Sequence, residues 1–235
     1  MMRRERIWAI HLATLVTLAA WAGLDPLFLT MVRHAPWTDS PGAVDWSRWV
    51  GFASLVVFAA TSLAALLLTR SQRWRIALRK TSLRQLLAIT TVIALWCGLV
   101  IHHESIAWQG KRVRFVWRVD ELEAIVAPLR NQWPERDGEL PATGPFMAYP
   151  FGRPTTLVLL QSPALASQHV YVSAIERCDD GAIKLQLTGT DGGDWAEWHP
   201  PHSRPISFVG GLADPHHLRA ATAIGHGWYL VRYDA

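Results

Sequence analysis

Hydrophobic residues are arranged in two different ways along this chain. Residues 1–101 contain three long apolar segments, at about 7–24, 49–69 and 83–101. At about 1.5 Å per helical residue the first two reach roughly 27 and 31 Å, close to the thickness of a bilayer core. Residues 102–235 instead show short apolar stretches broken by Gly and Pro. The pattern predicts three membrane helices followed by a separate domain over 102–235.

The first and third segments each allow a second interpretation. Arginines followed by an apolar stretch and Ala20-Trp21-Ala22 also fit a cleavable signal peptide, but the apolar segments that follow favour a retained helix. The third segment has only 16 uncharged residues (86–101), about 24 Å of helix, so Arg84 and His102 would have to lie in the two interfaces. A helix lying on the membrane surface is the alternative, although 86–101 has no polar face.

Charge predicts the orientation of the membrane helices. Residues 1–101 carry 11 Lys and Arg against 4 Asp and Glu, a net charge of +7, whereas residues 102–235 carry 12 against 15, a net charge of −3. Six of the cations lie in the loop between the second and third segments: Arg70, Arg73, Arg75, Arg79, Lys80 and Arg84. Short basic loops stay in the cytoplasm, so the C-terminal domain is predicted to be extracytoplasmic, on a multi-pass protein of the cytoplasmic membrane. The basic residues suit the lipid bilayer as a partner and give no support to nucleic-acid binding.

A short motif precedes the third segment. Residues 81–88 read Thr-Ser-Leu-Arg-Gln-Leu-Leu-Ala and lead into Ile-Thr-Thr-Val-Ile-Ala-Leu-Trp-Cys-Gly-Leu. This stretch resembles the S-L-R-x-L-L start of a membrane helix in many envelope proteins of planctomycete bacteria. The segment from Trp195 through His202 to Gly211 is also similar to part of an uncharacterised domain in such proteins. The resemblance implies a type of membrane anchor and no known reaction.

In the C-terminal domain, alternation and turn residues predict mostly strands. The first is 112–118, where Val113, Phe115 and Trp117 alternate with Arg112, Arg114, Val116 and Arg118. Asp120 and Glu123 fit a capping box at the start of a helix, which Pro128 should kink or end near Ala127. The apolar face of that helix would contain Leu122, Ile125, Val126, Leu129 and Trp133. A proline-rich extended loop is expected over 134–154.

The remaining segments predict a hairpin, further strands and a second helix. Residues 170–177 and 182–188 read as paired strands joined by an Asp-Gly turn, followed by a polar turn over 189–194. Other strands are expected at 155–161, 206–209 and 228–233, and Asp214 could cap a helix reaching about Ala223. The predicted fold is therefore a membrane-anchored α+β protein, with a mostly antiparallel sheet and one or two helices. At 134 residues this domain can bury its own core.

Cysteine and histidine content narrows the chemistry. The two cysteines, Cys97 and Cys178, are too few for a disulfide-stapled scaffold or a cysteine-rich zinc or iron–sulfur site. Eight of the ten histidines lie in residues 102–235, and a weak metal site could be drawn from them with Asp194, Glu197 or Asp214: His199, His202, His216 and His217. Pro200 and Pro201 prevent His199 and His202 from sharing a helical face, so structural or surface histidines are the better interpretation. No cofactor is expected.

Aromatic residues supply the other candidate site. Trp195, Trp198, His199 and Trp228 could line a groove for a small ligand or an envelope protein, although large aromatics more often fill the core of a domain. Ser203 could be placed in a triad on paper, and the carboxylates beside Cys178 would raise the pKa of that thiol. We therefore expect a non-enzymatic binding or interaction domain at the outer face of the membrane. The alternative is a membrane-tethered, metal-dependent hydrolase.

Overall fold

The chain divides into two units, Met1–Gly110 and Lys111–Ala235, which are described separately. The computed structural model describes residues 2–33, 45–77, 83–165, 170–190 and 193–234. Residues 34–44, part of the predicted basic loop (78–82), His169 and residues 191–192 of the predicted polar turn lie outside the described residues.

The first unit is helical. Its elements are α1 (Met2–Leu24), α2 (Phe28–Arg33), α3 (Trp46–Ala77) and α4 (Leu83–Val116), the last of which extends past Gly110. Three helices of the described chain are long and apolar enough to cross a membrane, over Arg6–Leu24, Trp46–Leu66 and Leu87–Val116. The prediction of three helices long and apolar enough to cross a membrane is thus confirmed in these parts of the chain.

The helix predicted over 83–101 is α4, and it is much longer than predicted. It has 34 residues and includes Val113 and Phe115, so the predicted strand over 112–118 is wrong. The five-residue alternation was too short to outweigh a helical signal in the same stretch: Ala107, Lys111 and Phe115 are all buried and recur every four residues. The helix ends where Arg118 N–H bonds to Phe115 O at 3.0 Å.

A chain of hydrogen bonds joins the three long helices. Trp96 Nε1 donates to His11 Nε2 at 3.2 Å, and His11 Nδ1 lies 2.8 Å from Ser62 Oγ. Because indole N–H can only donate, His11 Nε2 accepts, so Nδ1 carries the proton and donates to Ser62. Ser62 then donates to Ala59 O at 2.8 Å. One neutral histidine tautomer therefore satisfies every polar group in this contact.

Close contacts fix the directions of these helices. His11 of α1 contacts Trp96 of α4, and twelve residues further along α1 the backbone of Gly23 packs against Gly110. A Cβ atom on Gly110 would overlap Gly23 O, so only glycine permits this approach. α1 and α4 therefore run parallel, whereas the contacts of His11 with Ser62 and of Trp21 with Gly51 make α3 antiparallel to α1.

The second unit contains α5 (Val119–Asn131) and nine strands within the residues described. The predicted buried face of α5 is confirmed at Leu122, Ile125, Val126 and Leu129, with Val119 added. Trp133 lies beyond the helix and donates Nε1–H to Pro154 O at 2.7 Å.

For α5, the predicted capping box is wrong, and of the two effects predicted for Pro128 an end near Ala127 is wrong. The N-cap is Arg118 without a side-chain hydrogen bond, because the turn after α4 sets the start and leaves Asp120 within the first turn. Glu123 instead accepts a bond of 3.1 Å from Trp228 Nε1 and pairs with Arg130. The helix also continues past Pro128 to Asn131. Pro128 is exposed, so the backbone bond that it removes lies on the solvent side, while buried Leu129 holds the last turn against the core.

The strands form one antiparallel sheet among the described residues, in the order β1-β2-β3-β4-β5-β6-β9-β8-β7. Their bounds are β1 Gly138–Leu140, β2 Gly144–Tyr149, β3 Thr156–Leu159, β4 Tyr171–Arg177, β5 Ile183–Thr188, β6 Asp194–Trp198, β7 Phe208–Val209, β8 Pro215–Gly225 and β9 Trp228–Asp234. The fold class predicted from the sequence, α+β with a mostly antiparallel sheet, is confirmed. So are β3, the β4–β5 hairpin, β9 and, over two residues, β7.

Three segments differ from the prediction. Residues 134–154 contain β1 and β2 rather than an extended loop; Gly144, with φ of +70°, makes the turn between them. The polar turn ends at Gly193, since Asp194 begins β6. The predicted helix from Asp214 to Ala223 is strand β8, which pairs with β9 from His217 to Gly225 with two register shifts. Pairing overrides the helical preference of its alanines.

Candidate functional site

Three ionisable side chains cross one face of the sheet in register. Glu176 of β4 pairs with Lys184 of β5, and Lys184 pairs with Glu197 of β6. We call these three residues the charged row. All three are buried, with Lys184 1% and Glu197 0% exposed. Burial of charge without compensation costs several kcal/mol per ion, so the surroundings of the row are the key to its role.

The Lys184 ammonium group has three close neighbours. Its Nζ lies 3.3 Å from Glu197 Oε1, 3.0 Å from Tyr233 Oη and 3.5 Å from the centre of the Phe208 ring. Tyr233 Oη in turn donates to Glu197 Oε1 at 2.7 Å. Burial, followed by the negative charge of Glu197, raises the pKa of Tyr233 far above its usual range, so the phenol is neutral. Lys184, Glu197 and Tyr233 therefore form one ion-paired and hydrogen-bonded group.

A hydrogen-bonded relay runs from the charged row to the surface. Glu197 Oε2 lies 2.8 Å from His199 Nε2, and His199 Nδ1 lies 2.8 Å from Ser203 Oγ. Ser203, which is half-buried, donates to Asp180 in the β4–β5 turn. Burial opposes ionisation of Asp180, but the bonds from Ser203 Oγ–H and Ala182 N–H outweigh burial and lower its pKa.

Residues 203–214 cover the charged row, and we call them the strap. Phe208 of the strap lies over Lys184 and makes edge contacts with Trp195 at 5.6 Å and Tyr233 at 5.1 Å between ring centroids. The ring of His216, just after the strap, stacks on Phe208 at 4.7 Å. The strap thus closes an aromatic cluster over a polar face of the sheet.

The far end of the strap meets Glu176. Gly211 N–H bonds to the Glu176 carboxylate, and a Cβ atom on Gly211 would overlap Thr156 Oγ1. Asp214 Oδ2 lies 2.9 Å from His216 Nε2, but without hydrogen-bond alignment. Burial, and then the charge of Asp214, raise the pKa of Glu176 to about 7.

The opposite face of the sheet packs against helices. Leu185, Ala196 and Leu230 occupy paired positions there, and Trp228 bonds to Glu123 of α5. Asp194, also on this face, receives bonds from Arg232 Nε at 2.8 Å and from Lys111 of α4. This face is an apolar core with one compensated ion-pair cluster at its edge.

The predicted ligand residues fall on both faces. Trp195 and His199 lie on the strap side, where Trp195 belongs to the aromatic cluster and His199 to the relay. Trp198 and Trp228 lie on the helix side, where Arg130 stacks on Trp198 at 4.3 Å. The structure therefore brings together two of the four, and the binding role of the set stays a prediction.

The predicted metal ligands are dispersed. His199 and His216 are buried and have the neighbours given above, while His202 and His217 are exposed. Among the described residues, no group of three or more His, Cys, Asp or Glu side chains is arranged to hold a metal ion. Cys97 and Cys178 are both free thiols. Burial, with smaller contributions from neighbouring carboxylates, raises the pKa of Cys178 to about 11.

Comparison with known proteins places the chain in no family: no family, curated protein or solved structure matches it.

Sequence reasoning missed Glu176, Lys184 and Tyr233 as members of the site. The alternation of Lys184, Gln186 and Thr188 with apolar residues did show that they share a face. It could not show that another segment covers that face. A sequence signal existed in Ile206 and Phe208, which are apolar residues within a polar stretch and give the strap a side suited to packing.

Proposed function

We propose that this protein holds a non-enzymatic binding domain at the outer face of the cytoplasmic membrane. Three apolar helices support the membrane anchor, and the cations at 70–84 support a cytoplasmic position for the loop before α4. The alternating directions of α1, α3 and α4 suit three successive crossings, which would put the C-terminal unit outside. The partners on this proposal are the lipid bilayer and a small ligand or envelope protein.

The charged row carries the binding role. An ordinary sheet core would place apolar residues at Lys184 and Glu197, since a buried ion pair adds little stability over well-packed apolar side chains. Buried, compensated ionisable groups beside aromatic rings are instead typical of sites that recognise polar ligands. We propose that Lys184, Glu197 and Tyr233 supply the polar contacts, with Trp195 and His199 beside them.

The test compares ligand effects on two forms of the full-length protein in lipid nanodiscs. A panel of amino acids, sugars, nucleotides and peptidoglycan fragments is screened for compounds that raise the melting temperature. The control is Lys184→Met/Glu197→Gln, which removes both charges while the introduced amide keeps hydrogen bonds to Tyr233 and His199. Stabilisation of the natural sequence alone supports the proposal; equal effects on both forms, or none on either, contradict it.

The metal-dependent hydrolase stays the alternative to this proposal. Its test is the zinc content of the purified full-length protein, with the melting temperature measured before and after chelation. Stoichiometric zinc and a lower melting temperature after chelation would favour the hydrolase over the binding domain.

A further inference from the structure

The strap is held at two places, which we call its attachments. At the first, where Ser203 contacts His199 and Asp180, the hydrogen bonds need more protons than neutral groups can supply. The relay has three links, from Asp180 to Ser203, from Ser203 to His199 and from His199 to Glu197. Each link needs one proton, yet the serine hydroxyl provides one and a neutral imidazole provides one. The complete relay therefore holds one proton more than a neutral imidazole and two ionised carboxylates provide.

The second attachment also brings acidic groups together. Around Gly210, the position of a Cβ atom would lie 2.7 Å from Asp214 Oδ1, 3.2 Å from Glu176 Oε1 and 3.2 Å from His216 Nε2. His216 Nε2 is buried and has no hydrogen-bond partner within the part of the chain that the structure describes. Two carboxylates this close repel each other when both are ionised. A proton on any of the three groups relieves that repulsion.

Charge around the strap is unbalanced without such protons. Lys184 faces Glu176 and Glu197 from β5, and Asp180 and Cys178 face the row from the β4–β5 turn. Asp214 faces it from the end of the strap, and His199 faces it from just after β6. Four of these groups are carboxyls, of Glu176, Asp180, Glu197 and Asp214, against the single lysine. Positive charge taken up at either attachment reduces the imbalance.

We propose that proton uptake at these two attachments closes the strap over the charged row, and that proton release opens it. The proposal rests on the binding function above, because it makes pH control access to the same polar face. Opening of the strap would expose the charged row to an external ligand.

The direction of the pH dependence follows from Glu176. Its pKa is raised from 4.5 to about 7 with the strap closed, so the closed form binds this proton more tightly than an open form in which Glu176 is solvated. Closure is then favoured below about pH 4.5, weakens as the pH rises towards 7, and has lost this contribution above 7. Allowing for solvent screening, we expect the ratio of open to closed forms to rise at least about tenfold across this range.

The test measures the distance between two spin labels in the full-length protein in nanodiscs. Labels are placed at Leu212→Cys on the strap and Leu160→Cys after β3, both exposed positions, in a background with Cys97→Ser and Cys178→Ala. Distance distributions are recorded at about pH 4.5 and about pH 8.5, on either side of the expected transition. The matched control adds Glu176→Gln/Asp180→Asn, which keeps the shape of both attachments but removes one carboxylate from each.

We expect a single distance at acid pH and a second, longer distance at alkaline pH, with the control closed at both. Far-ultraviolet circular dichroism at both values checks that the sheet is folded. An unchanged distribution, or the same pH response in the control, would overturn the proposal. Closure of the strap by zinc at alkaline pH, without any response of the strap to pH alone, would also overturn the proposal. The ligand screen is run at both acid and alkaline pH. Stabilisation by a ligand at both pH values, with an unchanged distance between the labels, would reject the pH-dependent opening of the strap and retain the binding function.

Discussion

Replacing Lys184 alone should destabilise the C-terminal domain strongly. Lys184→Met removes the lysine that pairs with Glu197 and leaves that carboxylate, 0% exposed, facing Glu176. Leaving one member of a buried ion pair unpaired costs about 3–5 kcal/mol, a large part of the roughly 5–15 kcal/mol that stabilises a typical domain. For a unit of about this size the melting temperature should fall by about 10–20 °C.

The double variant should recover most of that loss. In Lys184→Met/Glu197→Gln, the amide oxygen can accept from Tyr233 Oη and the amide N–H can donate to a neutral His199, so no polar group is left unpaired. We expect its stability to lie within about 1.5 kcal/mol of the natural protein.

The assay is urea unfolding of the full-length protein in nanodiscs, followed by the fluorescence of the buried tryptophans Trp195 and Trp228. Arg153→Met, at an exposed position, is the matched control and should change stability by no more than about 0.5 kcal/mol. A single variant as stable as this control would refute the buried network. A double variant as unstable as the single one would show that the row serves stability, contrary to the functional role assigned to it.

Three further predictions concern other contacts. Gly110→Ala should separate α1 from α4 and cost about 1–3 kcal/mol, measured as a lower melting temperature of the detergent-solubilised protein; Gly98→Ala, where a Cβ atom meets nothing within 4 Å, is the control and should not destabilise it. Trp96→Phe removes the donor to His11 and should cost about 1 kcal/mol in the same assay, whereas equal stability would show that this bond contributes nothing. The natural protein should lose about 1–2 kcal/mol of stability between about pH 5 and 8, after allowance for screening, and Glu176→Gln should abolish this loss. Thermal melts in which both proteins show the same dependence of melting temperature on pH would contradict the titration of Glu176.

Local sequence signals predicted the membrane helices and the best-defined strands. Long uncharged segments can hardly form anything but membrane or core helices, and Asp180-Gly181 between alternating segments specified the β4–β5 hairpin. The end of α4 was missed because a few alternating residues at 112–118 resemble a strand, whereas the buried spacing of Lys111 and Phe115 becomes informative only when a partner surface is known. Strand β8 was missed because only its pairing with β9 makes an alanine-rich segment extended.

The candidate site was less predictable than the fold for a related reason. Period-2 alternation identified the polar face of β5, but the strap that covers Lys184 comes from residues about twenty positions later. Non-local covering of a polar face has no signature in the alternation itself. Trp195 and Trp198 are a different case, because their three-residue separation on one strand is enough to place them on opposite faces.

The extracytoplasmic position of the second unit is the claim on which the proposed function depends. It can be measured with a membrane-impermeant maleimide and Ala142→Cys, an exposed position in the β1–β2 turn, in intact spheroplasts of cells producing a form without Cys97 and Cys178. Ser82→Cys in the basic loop is the control for the cytoplasmic side. The account predicts labelling at position 142 in intact spheroplasts and at position 82 only after permeabilisation. The reverse pattern would place the domain in the cytoplasm and contradict the account.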